Sequence, residues 1–191
     1  MFQKKAVVSA GARPTHTIPQ DFCRIFAEDQ TALYLLSLVL TADSEKAEQC
    51  FVAGLEDSIH GNPVFKEWAR SWSKRTIIKN AIRMISPAPE QINPARHASE
   101  QGALGAGIGG LLTNVLQLVP FERFVFVMSA LEGYSLQECS TLLNCTKRDA
   151  VKGRARAMQH LALAESGRPT PIRMGKARIR AAHFLEPIAA P

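Results

Sequence analysis

Two helix-stop signals inside an apolar helical pattern restrict the fold of this chain more than any other feature, and both lie between Leu118 and Leu161. Gly133 is free to adopt the left-handed conformation in which helices commonly end, and the short polar side chain of Asn144 also tolerates it. One long helix is therefore excluded. The stretch predicts three short helices with two tight turns, of which the last two form a helix-turn-helix.

The first two of these helices have recognisable starts and apolar faces. The first is predicted to begin at Pro120, where a missing N–H costs nothing. Its apolar residues recur at the spacing of one helix face, which we expect to be buried: Phe121, Phe124, Val125, Met128 and Leu131. Ser135 is expected to cap the second helix in a capping box with Glu138. The buried stripe of that helix is predicted as Leu136, Cys139, Leu142 and Leu143.

The third helix, capped by Thr146, combines an apolar side with a cationic one. At about 100° per residue, one side is expected to pack on the first two helices. It comprises Val151, Ala155, Met158 and Ala162. The residues predicted to contact DNA are Lys147, Arg148, Asp149, Lys152, Gly153, Arg154 and Arg156. In a recognition helix, side chains near the amino end reach base edges and flanking cations hold phosphates. The alternative is a solvated face on an ordinary three-helix bundle.

This interpretation sets a structural condition. Asp149, Lys152, Gly153 and Arg156 should point away from the bundle. Arg148, Asp149, Lys152 and Arg156 are predicted on the groove side, with Lys147 and Arg154 on phosphates. If Lys152 and Arg156 are covered by the protein itself, or if Val151 and Met158 face water, no such docking is possible and the DNA-binding assignment fails.

The segment resembles the carboxy-terminal promoter-reading region of bacterial RNA polymerase sigma factors, most closely the extracytoplasmic-function type. The matching residues span about 44 positions: Leu118, Pro120, Arg123, the run Leu131-Glu132-Gly133-Tyr134-Ser135, the run from Glu138 to Asn144, and Val151-Lys152-Gly153-Arg154. Three departures stand out. Asn144 replaces the usual glycine, Gly153 replaces the usual serine, and the pairing after Ala155 is one residue short. A glycine inside a helix costs about 1 kcal/mol of stability.

The amino-terminal half predicts three more helices between Gln20 and Ile85, and no segment alternates as a strand would. Asp43 is expected to cap the second helix, and Asn62-Pro63 to begin the third. The inward residues are predicted as Phe22, Ile25, Phe26, Leu33, Leu36 and Leu40, then Ala47, Phe51, Leu55 and Ile59, then Trp68, Trp72, Ile78, Ile82 and Ile85. The fold class is therefore all-α.

This half is also similar to the family, in its core-binding and promoter-melting region. Leu33-Tyr34 through Leu40-Thr41-Ala42-Asp43 matches one family pattern, and both regions together cover about 110 of 191 residues. The resemblance implies that Glu48, Gln49 and Val52 bind polymerase. This block diverges, because the family uses an acidic residue and a glutamine where Gln49 and Val52 stand. Gly54, in the same helix, is expected to be destabilising.

A basic stripe follows on the third helix of this half, at Lys66, Arg70 and Lys74. One interpretation is contact with the DNA backbone or with the separated strand, with Trp68 or Trp72 stacking on unpaired bases. The other is a solvated stripe, with both tryptophans in the core.

Charge and composition shifts divide the chain into a tail (1–19), a helical domain (20–85), a flexible linker (86–113), a helix-turn-helix domain (114–164) and a basic tail (165–191). Residues 1–113 hold 12 basic and 11 acidic side chains, whereas residues 114–191 hold 11 and 6. This basic surplus suits an anionic partner. The linker contains a GxGxxG match that lacks the strand a dinucleotide site needs. Four cysteines without CxxC spacing indicate a reducing compartment, so we expect the cytoplasm.

The resemblance implies a sigma factor that binds promoter DNA and core RNA polymerase, and an anti-sigma factor as a further partner. We expect no enzyme activity, cofactor, metal, small-molecule substrate or membrane anchorage, since no catalytic or metal-binding motif is present. One alternative is a helix-turn-helix regulator that does not engage core polymerase. Another is a module that binds only other proteins.

Overall fold

The computed structural model describes residues 15–89 and 110–166, and these residues form eight α-helices. The helices are α1 (Pro19–Glu28), α2 (Gln30–Thr41), α3 (Ser44–His60), α4 (Ala69–Ile85), α5 (Gly110–Leu116), α6 (Pro120–Phe126), α7 (Leu136–Leu142) and α8 (Lys147–Ser166). A 3₁₀ turn at Lys66–Trp68 precedes α4, and a π-helical turn at Val127–Leu131 extends α6. Within these ranges no strand forms, apart from one isolated bridge between His16 and Phe65. The all-α prediction is confirmed.

The amino-terminal half contains four helices where three were predicted. The first predicted helix is broken at Asp29, which ends α1 and precedes α2. Asp43 caps α3 as predicted, its Oδ1 accepting from the backbone N–H of Lys46 at 3.0 Å. Residues 15–18 belong to the fold and not to a loose tail, because Thr17 is buried and its N–H donates to Val64 at 2.7 Å.

Gly54 allows α3 and α4 to approach closely. A Cβ at this position would lie 2.7 Å from Cγ1 of Ile77, which is fully buried on α4. The carbonyl of Gly54 also accepts from the hydroxyls of Ser58 and Thr76, at 2.7 and 3.1 Å. The predicted destabilisation by a mid-helix glycine is therefore offset by contacts that a larger residue would prevent.

Two predictions about α4 are wrong. The helix begins at Ala69 after the 3₁₀ turn, several residues beyond Asn62-Pro63. Trp68 is 59% exposed and Trp72 is half-buried, so these tryptophans are not the core pair that helical spacing suggested. Ile78 is buried as predicted.

Helix α6 is buried on all sides, by α2 from the first half as well as by α8 from the second. Pro120 is its first residue as predicted, and every residue from Phe121 to Met128 is buried, not only one face. Leu131, predicted to be buried, is 59% exposed at the end of the π-helical turn. Gly133 has φ of +75°, which confirms the predicted left-handed helix end.

One apolar cluster contains buried residues from both halves of the chain. Its members include Leu36, Leu40 and Ile77 from the first half and Phe124, Val125 and Leu161 from the second. Helix α2 contacts both α5 and α6. The first four residues of α5 fall within the predicted linker, whose central part lies outside the described residues.

Arg123 joins the two halves from inside this core. Its Nε donates to the carbonyl of Leu40 at 3.2 Å, and its Nη1 donates to that of Leu118 at 2.8 Å. A longer contact of 3.5 Å joins Nη2 to the carbonyl of Thr41. The guanidinium therefore satisfies carbonyls at the carboxyl end of α2, which the helix itself leaves unpaired. Burial lowers the pKa of Arg123 to about 10.

No helix within residues 15–89 and 110–166 combines the length and the apolar character needed to cross a membrane.

Candidate nucleic-acid interface

A tight turn joins α7 to α8, and polar residues close both helix ends as the sequence predicted. Ser135 and Glu138 form the capping box of α7, with Ser135 N–H donating to Glu138 Oε2 at 2.8 Å and Glu138 N–H donating to Ser135 Oγ at 3.2 Å. Asn144 has φ of +48° between the helices. Hydrogen bonds to Ser135 lower the pKa of Glu138.

A second capping box, which the sequence interpretation missed in part, begins α8. Thr146 Oγ1 accepts from the N–H of Asp149 at 3.1 Å, as predicted for a cap. In return Asp149 Oδ2 accepts from the hydroxyl and the N–H of Thr146, at 2.6 and 3.2 Å. These hydrogen bonds from Thr146 lower the pKa of Asp149. Asp149 is half-buried in this box and does not project freely toward a ligand, contrary to the prediction.

The inward face of α8 is not the predicted one. Its buried residues are Ala150, Gly153, Ala157 and Leu161. Val151 is 47% exposed and Met158 is 51% exposed, and the predicted inward residues Ala155 and Ala162 are exposed as well. The helix is therefore rotated by one residue, about 100°, from the predicted orientation. Val151 and Met158 face water, so the stated condition fails and the DNA-binding assignment made from the predicted orientation is wrong.

Gly153 shows why this rotation occurs. A Cβ here would lie 2.8 Å from Cε1 of Phe121 and 3.5 Å from Cγ2 of Val125, both on α6. The glycine allows α8 to lie directly on the Phe121 ring, so it faces inward and cannot contact DNA as predicted. Small side chains at Ala150 and Ala157 continue the same contact line.

The other predicted cations of α8 are exposed: Lys147, Arg148, Lys152, Arg154 and Arg156. None of them forms a salt bridge with a carboxylate in residues 15–89 or 110–166. With the observed inward face, Arg148, Lys152 and Ala155 lie near the centre of the outward face, and Arg156 lies on its flank. The condition that Lys152 and Arg156 be uncovered is met.

The basic stripe of α4 and its preceding turn differs from the outward face of α8, because carboxylates pair with all three of its cations. Lys66 lies 3.3 Å from Asp21, and Arg70 pairs with both Glu28 and Asp29. Lys74 Nζ lies 2.8 Å from Oε2 of Glu132, which comes from the carboxy-terminal half.

An open groove of about 760 Å³ separates α4 from the turn before α7. The exposed ring of Trp68 and the half-buried rings of Trp72 and Tyr134 line it. Arg75 also lines it, and its charge acts on Tyr134 and Glu138. Lys79 lies over the Trp72 ring at 5.6 Å, a cation–π distance. The two predicted stacking residues thus line one groove, although the carboxy-terminal half forms its opposite wall.

The predicted polymerase-binding residues share an exposed face of α3. Glu48, Gln49 and Val52 are all exposed, and Val52 is 47% exposed. Gln49 donates from Nε2 to Glu45 Oε1 at 3.4 Å. Sequence reasoning did not include Glu45 or Glu56, which are exposed on the same helix and make the face acidic.

No protein-family model matches this chain, and no curated protein matches it.

Proposed function

We propose that the chain binds promoter DNA as a sigma factor and directs RNA polymerase to initiate transcription. In this proposal α7, the turn at Asn144 and α8 form a helix-turn-helix, and the two halves act as modules joined by a flexible linker. The observation that carries the proposal is the outward face of α8. Its cations are exposed and lack carboxylate partners in the described part of the chain, as a surface that binds phosphates requires.

In this proposal the residues of the rotated helix take revised roles. Arg148 and Lys152 project near the amino end of α8, the part of a recognition helix that reaches base edges. The side chain of Val151 beside them is apolar and suits contact with a thymine methyl group. Lys147, Arg154 and Arg156 would bind DNA phosphates. Asp149 acts on the interface only through the helix cap, and Gly153 only by bringing α8 close to α6.

Engagement of core polymerase rests on the acidic face of α3, with Glu48, Gln49 and Val52 at its centre. The cytoplasm as the compartment and an anti-sigma factor as a regulatory partner belong to the same proposal. In the proposed initiation complex, the groove between Trp68 and Tyr134 would open to admit unpaired bases, since exposed aromatic rings bind them by stacking.

One observation favours the alternative of a regulator that does not engage core polymerase. Lys66, Arg70 and Lys74 are paired with carboxylates, so the amino-terminal half offers less free positive charge to DNA than α8 does. A regulator needs only the α8 surface.

Salt-dependent binding to a genomic promoter library tests the DNA proposal. Affinity should fall steeply with salt, with a log–log slope of about 0.9 per phosphate contacted. Lys152→Glu should weaken binding at least about tenfold, because a cation in the groove is replaced by an anion that the phosphates repel, and the smaller positive charge should make the slope shallower. Lys46→Glu is the matched control, since it makes the same charge change at an exposed lysine on α3. Equal losses in both variants, or a flat salt response, would contradict the proposal.

Reconstitution with core polymerase separates the two candidate functions. A sigma factor should co-elute with core polymerase and support promoter-dependent run-off transcription, and a Val52→Lys variant should reduce both. DNA binding without co-elution supports the regulator.

A further inference from the structure

The outward side of α8 carries an apolar line that no helix of the described chain covers. Val151, Ala155 and Met158 follow one another at intervals of four and three residues, so they lie along one side of the helix. Val151 and Met158 are each about half exposed. We call these three residues the outer apolar stripe. It is separate from the buried line through Gly153 that faces α6.

Cations border the outer apolar stripe on both sides. At about 100° per residue, Lys147 and Arg154 lie along one edge, and Arg148 and Lys152 lie along the other. All four are exposed, and none forms a salt bridge with a carboxylate in the parts of the chain that the structure describes. The stripe itself spans about two turns of helix, or roughly 11 Å, and together with its borders it extends from Lys147 to Met158 over roughly 18 Å.

We propose that this surface docks a single α-helix of another protein, one with an apolar stripe bordered by acidic side chains. The spacing matches another helix, because apolar residues that recur every three or four positions form a ridge that fits a helix groove. The small side chain of Ala155 permits close approach between helix axes, and Met158 adapts to different apolar neighbours. Acidic borders on the partner would pair with both cationic edges.

The charges select this occupant over two others. A second copy of the chain would place cationic edges against cationic edges, and like charges facing each other are destabilising. Residues 167–191 follow α8 directly but carry five basic side chains and one acidic one, so they repel the same edges. A lipid surface attracts cations too, but helices that insert there present bulky Trp, Phe and Leu residues, and this stripe has one alanine in three.

Competition with DNA rests on the proposed function: docking would displace DNA because Val151 and all four bordering cations belong to both surfaces. Binding of the helix itself does not depend on it.

The test uses the full chain and two designed helical peptides that share one leucine stripe. One peptide has glutamates along both edges of the stripe and the other has lysines, and binding is followed by fluorescence anisotropy. The glutamate peptide should bind at least about tenfold more tightly than the lysine peptide. Met158→Ser should weaken the glutamate peptide about tenfold, since a buried methionine side chain contributes this much. Leu131→Ser is the matched control, because Leu131 is similarly exposed but lies off α8.

Four results would overturn the proposal. They are equal affinity of the two peptides, no binding of the glutamate peptide at concentrations on the order of 1 mM, an equal loss in both serine variants, and no loss in Met158→Ser. Co-sedimentation with phosphatidylglycerol vesicles that Met158→Ser abolishes, without peptide preference, would assign the stripe to a lipid surface instead. Self-association in sedimentation velocity that Met158→Ser abolishes would assign it to a second copy.

Competition separates this proposal from the DNA proposal. A promoter duplex should displace the glutamate peptide, and Lys152→Glu should weaken both ligands. If the chain binds no duplex but still prefers the glutamate peptide, the proposed function fails and the docking surface stands. If the duplex binds and the glutamate peptide is not preferred, the docking surface fails alone.

Discussion

Replacing Gly153 by alanine gives opposite results for the two orientations of α8. If Gly153 pointed to solvent, as helical periodicity predicted, alanine would stabilise the helix by about 1 kcal/mol through its higher propensity. In the observed orientation the new Cβ would lie 2.8 Å from Cε1 of Phe121, closer than packed carbon atoms allow. Phe121 is only 6% exposed, so its ring has little space to move. Overpacking of this kind costs about 1–3 kcal/mol.

The net expectation for Gly153→Ala is a loss of about 1 kcal/mol in the free energy of unfolding, because an overpacking cost near the middle of that range exceeds the gain in propensity. Urea denaturation followed by circular dichroism measures it as a lower midpoint at unchanged m-value. Gly153→Leu should lose considerably more. Ala155→Gly is the matched control at an exposed position of the same helix and should lose about 1 kcal/mol from propensity alone. A gain in stability for Gly153→Ala would refute the orientation derived from the structure.

Three further outcomes follow from particular contacts. Arg123→Met should lower the free energy of unfolding by about 2–4 kcal/mol, because the buried carbonyls of Leu40, Thr41 and Leu118 lose their donor, although the cost of burying a charge is also removed. Urea denaturation measures this loss, and an unchanged midpoint would show that Arg123 does not join the halves. Ser135→Ala should cost about 1 kcal/mol through loss of the α7 cap, measured in the same way, with Ser44→Ala as an exposed control. The pKa of Asp149 is lowered in the folded chain, so its contribution to stability is fully present above its ordinary pKa of about 4 and is lost as pH falls through the folded pKa. Asp149→Asn should therefore make the urea midpoint less dependent on pH between about 5 and 2. An unaltered dependence would contradict the capping role.

Local chemistry was sufficient to predict the all-α class and most helix ends of the carboxy-terminal half. Pro120, Gly133, Ser135, Asn144 and Thr146 all occupy the places that their backbone preferences indicated. Such predictions succeed because a cap or a left-handed residue depends on neighbours within about four positions. The exposed cations of α8 were also predicted, since long charged side chains are rarely buried without partners.

Periodicity could not predict the orientation of α8, because two apolar lines one residue apart run along this helix. The line through Val151 and Met158 has the larger side chains, and hydrophobicity alone favoured its burial. The tertiary structure buries the smaller line through Gly153 instead, because the Phe121 ring on α6 needs the space that a Cβ would fill. Small residues at a helix contact permit a closeness that larger ones prevent.

The sequence by itself determined the all-α class, most helix ends of the carboxy-terminal half and the exposure of the α8 cations. Only the tertiary structure decided which side of α8 faces outward, that carboxylates neutralise the stripe at Lys66, Arg70 and Lys74, and that Arg123 bonds the end of α2. Those features join residues that are as many as 83 positions apart in the chain. They depend on how the helices pack against one another, which the local pattern of a single helix does not encode.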